Sequence, residues 1–583
     1  MIRTLAKSIR EYKKNSILTP IFVMLEVLFE VMIPFIMARL IDQGIDAGNM
    51  GVIYRLGLLL LAAAVVALTF GALSGRSAAI ASAGFAKNLR QDMFYNVQGF
   101  SFSNIDKFST SSIITRLTTD VTNVQNSYQM LLRMASRSPV MLTFSLFAAF
   151  SINRRLSMIF LGAMPILGIG LFFIIKNAHP IFRQVFKTYD KLNNIVQENV
   201  RGIRVVKAFV REDHERKKFE DISKEIYDKF TKAEKLLAFN MPLIQFCMFG
   251  SMLLLSWFGA RAIVTSGNNP AIGLSTGQLM SLMTYTMQIL ISLMMLSFVF
   301  VMITISRASA ERIVEILDEE TDLKNNDSPV YRVDNGSIEF QNVSFCYSDK
   351  ADKMALRDIN LKINAGETIG IIGGTGSSKT SLIQLIPRLY DASKGTVKVG
   401  GIDVREYDLK TLRDQVAVVL QKNVLFSGTI NENLRWGDEN ASDNEVERMA
   451  TLAQADEFIR ELPDKYNAHI EQGGSNISGG QKQRLTIARA LLKKPRILIL
   501  DDSTSAVDTK TDALIKRAFL EEIPYTTKII IAQRVSSVQD ADRIIVMDDG
   551  EIKAIGTHTE LLKDSDIYRE VYDSQVKGGM ASA

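Results

Sequence analysis

Six long apolar runs crowd residues 1–317 of this 583-residue chain, and they leave few folds open. They are Ile17–Leu40, broken by Glu26 and Glu30; Leu56–Gly75; Ser138–Asn153; Leu156–Ile175; Leu236–Ala260; and one inside the uncharged stretch Ala262–Ser306. A bilayer core takes ~20 apolar residues of helix to cross. Inside lipid the backbone must satisfy its own polar groups, which a helix does. The reading is therefore a six-span helical domain. The first run has no small-residue cleavage site and is long enough to span, so it reads as a span and not as a signal peptide.

Charge sets the expected orientation. Met1–Ser16 carries Arg3, Lys7, Arg10, Lys13 and Lys14 against Glu11, with Ile2, Leu5, Ile9 and Tyr12 at helical spacing. That pattern suits an amphipathic helix on the cytoplasmic membrane surface, with a disordered basic tail as the alternative. Residues 84–135 and 176–235 are rich in Lys and Arg, which places both inside. The N-terminus and the second half are then cytoplasmic, and the chain is a multi-pass protein of the cytoplasmic (inner) membrane. Arg154 and Arg155 fall in an outer connection, against this bias.

The two basic segments are too long for plain connectors. They read as extensions of the membrane helices into the cytoplasm. Glu26 and Glu30 share one helix face. Either they form a polar, cation-attracting wall of a substrate cavity, or they lie in the cytoplasmic extension or are paired by a basic side chain. Met280, Met283, Met287 and Met294 repeat along the sixth run. Flexible thioethers suit a surface that accepts many apolar shapes, although helix packing also produces such a stripe.

Composition closes other routes. The net charge is +5, with no basic, aromatic-interleaved surface for nucleic acid. Two cysteines and four scattered histidines give neither a disulfide framework nor a zinc site. Residues 318–336 are polar and read as a linker. Residues 337–577 alternate strands and helices as an α/β domain. Gly578-Gly579-Met580-Ala581-Ser582-Ala583 reads as an appended remnant without function.

In the α/β domain the apolar strand Thr368–Ile372 leads into Gly373-Gly374-Thr375-Gly376-Ser377-Ser378-Lys379-Thr380 and then a helix. Strand, glycine-rich loop, Lys-Thr and helix make a phosphate-binding P-loop, with nucleotide binding expected. Loop N–H groups and the helix N-terminus face an anion. Lys379 reaches the β and γ phosphates, and Thr380 holds Mg²⁺. Ser378 stands where the motif has its second glycine.

An ordered set of further motifs resembles the nucleotide-binding domain of ABC transporters. Tyr347 takes the place of the aromatic that stacks on adenine. Gln421 matches the Q-loop glutamine that touches Mg²⁺. The run from Leu425 to Asn433 is close to the exporter pattern. Ile477-Ser478-Gly479-Gly480-Gln481 matches the signature. The strand Arg496–Asp501 ends in the Mg²⁺-associated aspartate, and Ser505-Ala506-Val507-Asp508 resembles the D-loop. Asp106 to Asp120 and Gln197 to Phe209 resemble the coupling regions of ABC exporters, with Ser111 and Ser112 where the family usually has Gly and an acid. With the six runs, the resemblance covers essentially the whole chain and is closest to bacterial multidrug half-transporters.

The resemblance implies a catalytic Glu after Asp501 and a His after the next strand. Here Asp502 and Gln533 stand there. An Asp carboxylate sits back by roughly 1–1.5 Å, and ~1 Å of misplacement can cost ~10²-fold. Glutamine carries no proton and no positive charge. The site is expected to bind ATP and hydrolyse it poorly. In this family each ATP lies between one chain's P-loop and the other chain's signature. An intact signature beside a degenerate P-loop site implies a heterodimer. The non-identical partner half-transporter supplies Glu and His, and Ser478, Gly480 and Gln481 complete its working site. Export of amphiphilic small molecules across the lipid membrane is the family-level expectation. Lipid or peptide export, or an ATP-gated regulatory subunit, are the alternatives.

Overall fold

The computed structural model describes residues 1–270, 273–347, 354–502 and 507–580, with side chains described for these except residues 179, 183, 186, 190, 305, 509 and 576–580. Ser505 and Ala506 of the D-loop-like run, and Ala581–Ala583 of the tail, lie outside the described residues. The chain divides into two compact units, Met1–Gln98 with Thr110–Glu319, and Gly99–Ser109 with Glu320–Ala583.

The first unit holds six helical spans, Arg10–Ile45, Met50–Gln98, Thr110–Ile152, Arg154–Arg201, Glu212–Ser266 and Thr276–Leu317. They run far beyond their apolar windows. Met50–Gln98 has 49 residues, about 74 Å at 1.5 Å per residue, against the ~30 Å of a hydrocarbon core. The third apolar run is short, and its helix gains length from Val121 to Arg137.

Close packing in this unit uses small residues. Ala78, Ala81 and Ala86 of the second span are buried. A Cβ on Gly84 would lie 2.3 Å from the Tyr12 ring, so the N-terminal segment docks where a side chain is missing. Ser8 and Arg10 both bond Asp92 of the same helix. Pro34 interrupts the hydrogen bonding of the first span. The Tyr285 hydroxyl donates to Val31 O at 2.7 Å, and the Ser281 hydroxyl to Pro34 O. Such side-chain donors let a proline persist in a spanning helix.

The second unit is built on a six-stranded sheet in the spatial order Glu551–Gly556, Arg543–Asp548, Thr368–Gly373, Thr527–Ile531, Ile497–Asp501, Val416–Val419. The hairpin at one edge is antiparallel, and the other pairings are parallel. Ile497 to Asp501 are all buried, as expected of a strand covered on both faces. Successive residues serve different cores. Leu498 and Leu500 join the cluster with Leu485 and Ile487, while Ile497 and Ile499 join the one with Phe340 and Val397. The second cluster includes an antiparallel sheet of Leu356–Ile363, Ile338–Phe345, Lys394–Val399 and Ile402–Asp403.

A short helix, Phe102–Lys107, belongs to this second unit although it follows the second span. Ser101 opens it with a capping box to Asn104. The Tyr390 hydroxyl donates to Asp106 at 2.6 Å, and the rings of Phe102 and Tyr390 lie 6.0 Å apart. The Asp106 stretch therefore groups with the α/β fold and not with the spans that flank it. The second coupling-like stretch forms Ile203–Ala208, within the first unit.

Candidate nucleotide site

The parallel strands gather the site at their carboxyl ends, where open α/β sheets bind ligands. Gly373 ends one strand, Asp501 another, and Gln421 and Gln533 stand two residues beyond Val419 and Ile531. Four separate stretches thus converge because the sheet aligns them.

The loop between strand Thr368–Gly373 and helix Lys379–Gln384 has tight steric demands. A Cβ on Gly373 would lie 2.2 Å from Met547 O. Gly376 has φ +87°, and no atom lies within 4 Å of the Cβ position of Gly374 or Gly376, so both backbones are open to a ligand. Ser378 has φ +68° and ψ 25°, the left-handed conformation that suits glycine, and its side chain makes no capping bond.

Lys379 Nζ donates to Gly373 O at 2.9 Å, Gly374 O at 2.8 Å and Ser377 Oγ at 3.1 Å. Burial pushes its pKa down, against the pull of the Asp501 and Asp502 charges. Thr380 Oγ1 donates to Asp501 Oδ2 at 2.9 Å. Burial pushes the Asp501 carboxyl up, and the Asp502 charge adds to this. A cation beside Asp501 would reverse both effects. No cluster of three His, Cys, Asp or Glu side chains suits a metal among the described residues. Thr380 and Asp501 nevertheless fit Mg²⁺ of a nucleotide, which takes few protein ligands and keeps phosphate oxygens and water.

Asp502 sits at φ +48°, and its N–H donates to Ile531 O at 3.0 Å. Its Oδ2 accepts from Gln533 Nε2 at 3.2 Å and Gln421 Nε2 at 3.4 Å. Gln421 thus bonds Asp502, next to the Thr380–Asp501 pair. Two neutral amides thus hold one carboxylate. It can orient a water, but neither amide takes or gives up a proton at neutral pH.

Tyr347 is anchored through its hydroxyl to Ser381 Oγ at 2.8 Å and Gln384 Oε1 at 3.1 Å. Its ring stands edge-on to Tyr390 at 5.2 Å and is half-exposed. Burial raises its pKa, so the hydroxyl stays protonated. The signature serine caps the 14-residue helix Gly479–Leu492: Gln481 N donates to Ser478 Oγ at 3.2 Å, and Ser478 N to Gln481 Oε1 at 2.9 Å. Ser478 and Gly479 are exposed, and Gly480 and Gln481 half-buried.

In the membrane unit Glu26 and Glu30 both pair with Arg137. They also line a cavity of about 370 Å³ with Arg133, Met141, Gln288 and Met295. The two glutamates thus have a basic partner and also border a cavity. Arg137 borders the third apolar run, and a base beside a membrane acid is the signal that could have found it. Met280 and Met287 are exposed, Met283 is half-buried, and Met294 packs near Leu167 and Ile244. The thioethers of the cavity are Met134, Met141 and Met295.

Residues 16–294 match the family model described as the ABC transporter transmembrane region, and residues 356–505 match the one described as ABC transporter. The chain is 38% identical over 555 residues to the uncharacterized ABC transporter ATP-binding protein YfiB of Bacillus subtilis, covering 95% of each. It is 35% identical to the uncharacterized ABC transporter ATP-binding protein YknU of the same organism, over 84% of this chain and 83% of that one. A solved bacterial Atm1-family ABC exporter with ATP bound shares the fold, with a TM-score of 0.82 over 97% of this chain and 99% of that one, at 24% identity.

Proposed function

Because this chain belongs to the ABC transporter family, we propose that it is one half of an ATP-driven exporter of amphiphilic small molecules, paired with a second, non-identical half-transporter. The observation that carries this reading is the Asp502 carboxylate held by Gln421 and Gln533, where a catalytic Glu and His are expected. Such a site binds MgATP through the P-loop, Thr380 and Asp501 and hydrolyses it slowly. Tyr347 carries the adenine. Ser478, Gly480 and Gln481 complete the working site on the partner, which supplies Glu and His.

The N-terminus and the nucleotide-binding unit face the cytoplasm, and the spans cross the cytoplasmic membrane. ATP closes the two nucleotide units, and the membrane cavity turns outward. Moving such an equilibrium from 1:99 to 99:1 takes about 5.5 kcal/mol of differential binding. Hydrolysis at the partner's site resets the cycle. The cavity mixes thioethers with two carboxylates, Glu26 and Glu30, and two guanidiniums, Arg133 and Arg137, a balance of charge that suits amphiphiles better than simple cations.

The test is the native mass of the complex extracted from its own membrane through a tag on this chain. A second, different chain at one-to-one, with Glu and His at the matching positions, is expected. A pure homodimer with substrate-insensitive ATP turnover would sink the heterodimeric exporter and favour an ATP-gated regulator. Vectorial movement of lipid or peptide, but not of amphiphilic dyes, would narrow the substrate to those classes.

A further inference from the structure

We propose that a cavity at the short-connection end of the membrane unit, lined by Arg154, Arg155 and Arg261, binds the phosphodiester headgroup of an anionic phospholipid. The cavity measures about 1010 Å³. Arg154 and Arg155 open the fourth span, with only Asn153 between it and the end of the third at Ile152, and Arg261 lies in the last turns of the fifth. This end of the bundle is the one opposite the long helical turns at residues 98–121 and 201–212. It meets one leaflet of the bilayer.

Three observations point to an anion of this kind. First, no carboxylate is among the lining residues, and none of the three guanidiniums has an ion-pair or hydrogen-bond partner among the described residues. Elsewhere in this unit Arg116, Arg137 and Arg312 are each held by a carboxylate. All three residues are exposed, so water and salt weaken their mutual repulsion, but three like charges around one cavity still favour an anion there. Second, guanidinium is the side chain suited to phosphate, because its planar fork donates two bonds at once. The positive end of the helix beginning at Arg154 adds to the same field. Third, the same cavity has an apolar side. Ile152 and Ile159 line it, and so does Phe258, which is 46% exposed. A free inorganic anion has no use for that side, whereas the first acyl carbons of a phospholipid do. The size falls at the upper end of small-molecule sites. The arrangement also accounts for two arginines in a connection that the positive-inside rule would leave neutral.

The inference uses only the membrane unit and stands whether the complex is a heterodimer or a homodimer. Its test uses the full complex in phosphatidylcholine nanodiscs containing a minor fraction of phosphatidylglycerol. Lipid retained on the protein is read by native mass spectrometry. The wild type should retain phosphatidylglycerol over phosphatidylcholine on the order of 10²-fold, from ~1 kcal/mol per arginine near the surface. Replacing all three by glutamine (Arg154→Gln, Arg155→Gln, Arg261→Gln) should reduce the preference to about that of bulk lipid, and replacing all three by lysine should keep part of it. If the triple variant does not assemble, Arg261→Gln alone should lower the preference several-fold. Equal retention of the two lipids by the wild type overturns the proposal, as does an unchanged preference in the glutamine variants. Displacement of the lipid by millimolar inorganic phosphate would assign the cavity to a free anion and overturn it too.

Discussion

Ser378 and Ser478 each stand one residue before a helix in the same unit, and they act on it in opposite ways. Ser478 has extended backbone, φ −69° and ψ 160°, and its hydroxyl accepts the N–H of Gln481. A serine in that place stabilises a helix by about 1 kcal/mol. Ser378 has φ +68°, in the region where a side chain costs roughly 1–2 kcal/mol, and it caps nothing. The same residue type is at home in one loop and strained in the other. The lesson is that the signature helix of this chain starts with a reciprocal cap, while its glycine-rich loop carries a serine that the backbone does not favour. That asymmetry runs in the same direction as Asp502 and Gln533, and it motivates placing the working chemistry across the dimer.

The largest effect that could break this comparison is on the signature. Ser478→Ala should lower ATP turnover of the assembled complex by ~10²-fold, the scale of losing one positioned donor at a transferring group. Ser378→Ala should change it by about twofold or less, as neither side chain relieves the left-handed backbone. Steady-state ATPase assays on both variants decide the matter, and the reverse ranking ends the heterodimer reading.

Next in size is an exchange at the two polar residues Asp502 and Gln533. Asp502→Glu with Gln533→His should raise hydrolysis at this chain's own P-loop by up to ~10²-fold, read in complexes whose partner site is disabled. A flat response would mean that Ser378, and not the two changed polar residues, limits the chemistry.

The smallest effect sharpens the backbone half of the comparison. Ser378→Gly should raise the thermal midpoint of the nucleotide-binding unit by about 2–4 °C, since ~1 kcal/mol of strain is released. ATP affinity should tighten modestly alongside. A lowered midpoint would show that the greater freedom of glycine in the unfolded chain outweighs the strain.

Several features could be read directly from the residues. The six spans follow from apolar runs, because lipid demands self-satisfied helices of a minimum length. Gly373–Thr380 and Ile477–Gln481 declare themselves because their chemistry is local. Other features could not. The run Leu56–Gly75 shows where a helix crosses, but not that it continues from Met50 to Gln98. Phe102–Lys107 follows a span in sequence yet packs with Tyr390, 284 positions away from its Asp106 partner. Glu26 and Glu30 left two readings open until Arg137, more than 100 positions on, settled their partner.

By itself the sequence determined where the six apolar runs lie, that a glycine-rich loop with Lys379 and Thr380 follows the strand Thr368–Ile372, and that Asp502 and Gln533 hold their two positions. Each of these depends on residue type within a few positions. Only the tertiary structure decided that Asp502 lies between Gln421 and Gln533, that Ser378 is left-handed, that the glutamates are paired, and that Arg154, Arg155 and Arg261 share one cavity with no acid among its described lining residues. Those outcomes depend on which distant side chains and carbonyls the sheet and the bundle bring within about 3 Å of each other. A hydrogen bond or ion pair is a property of that distance, and chain order does not encode it.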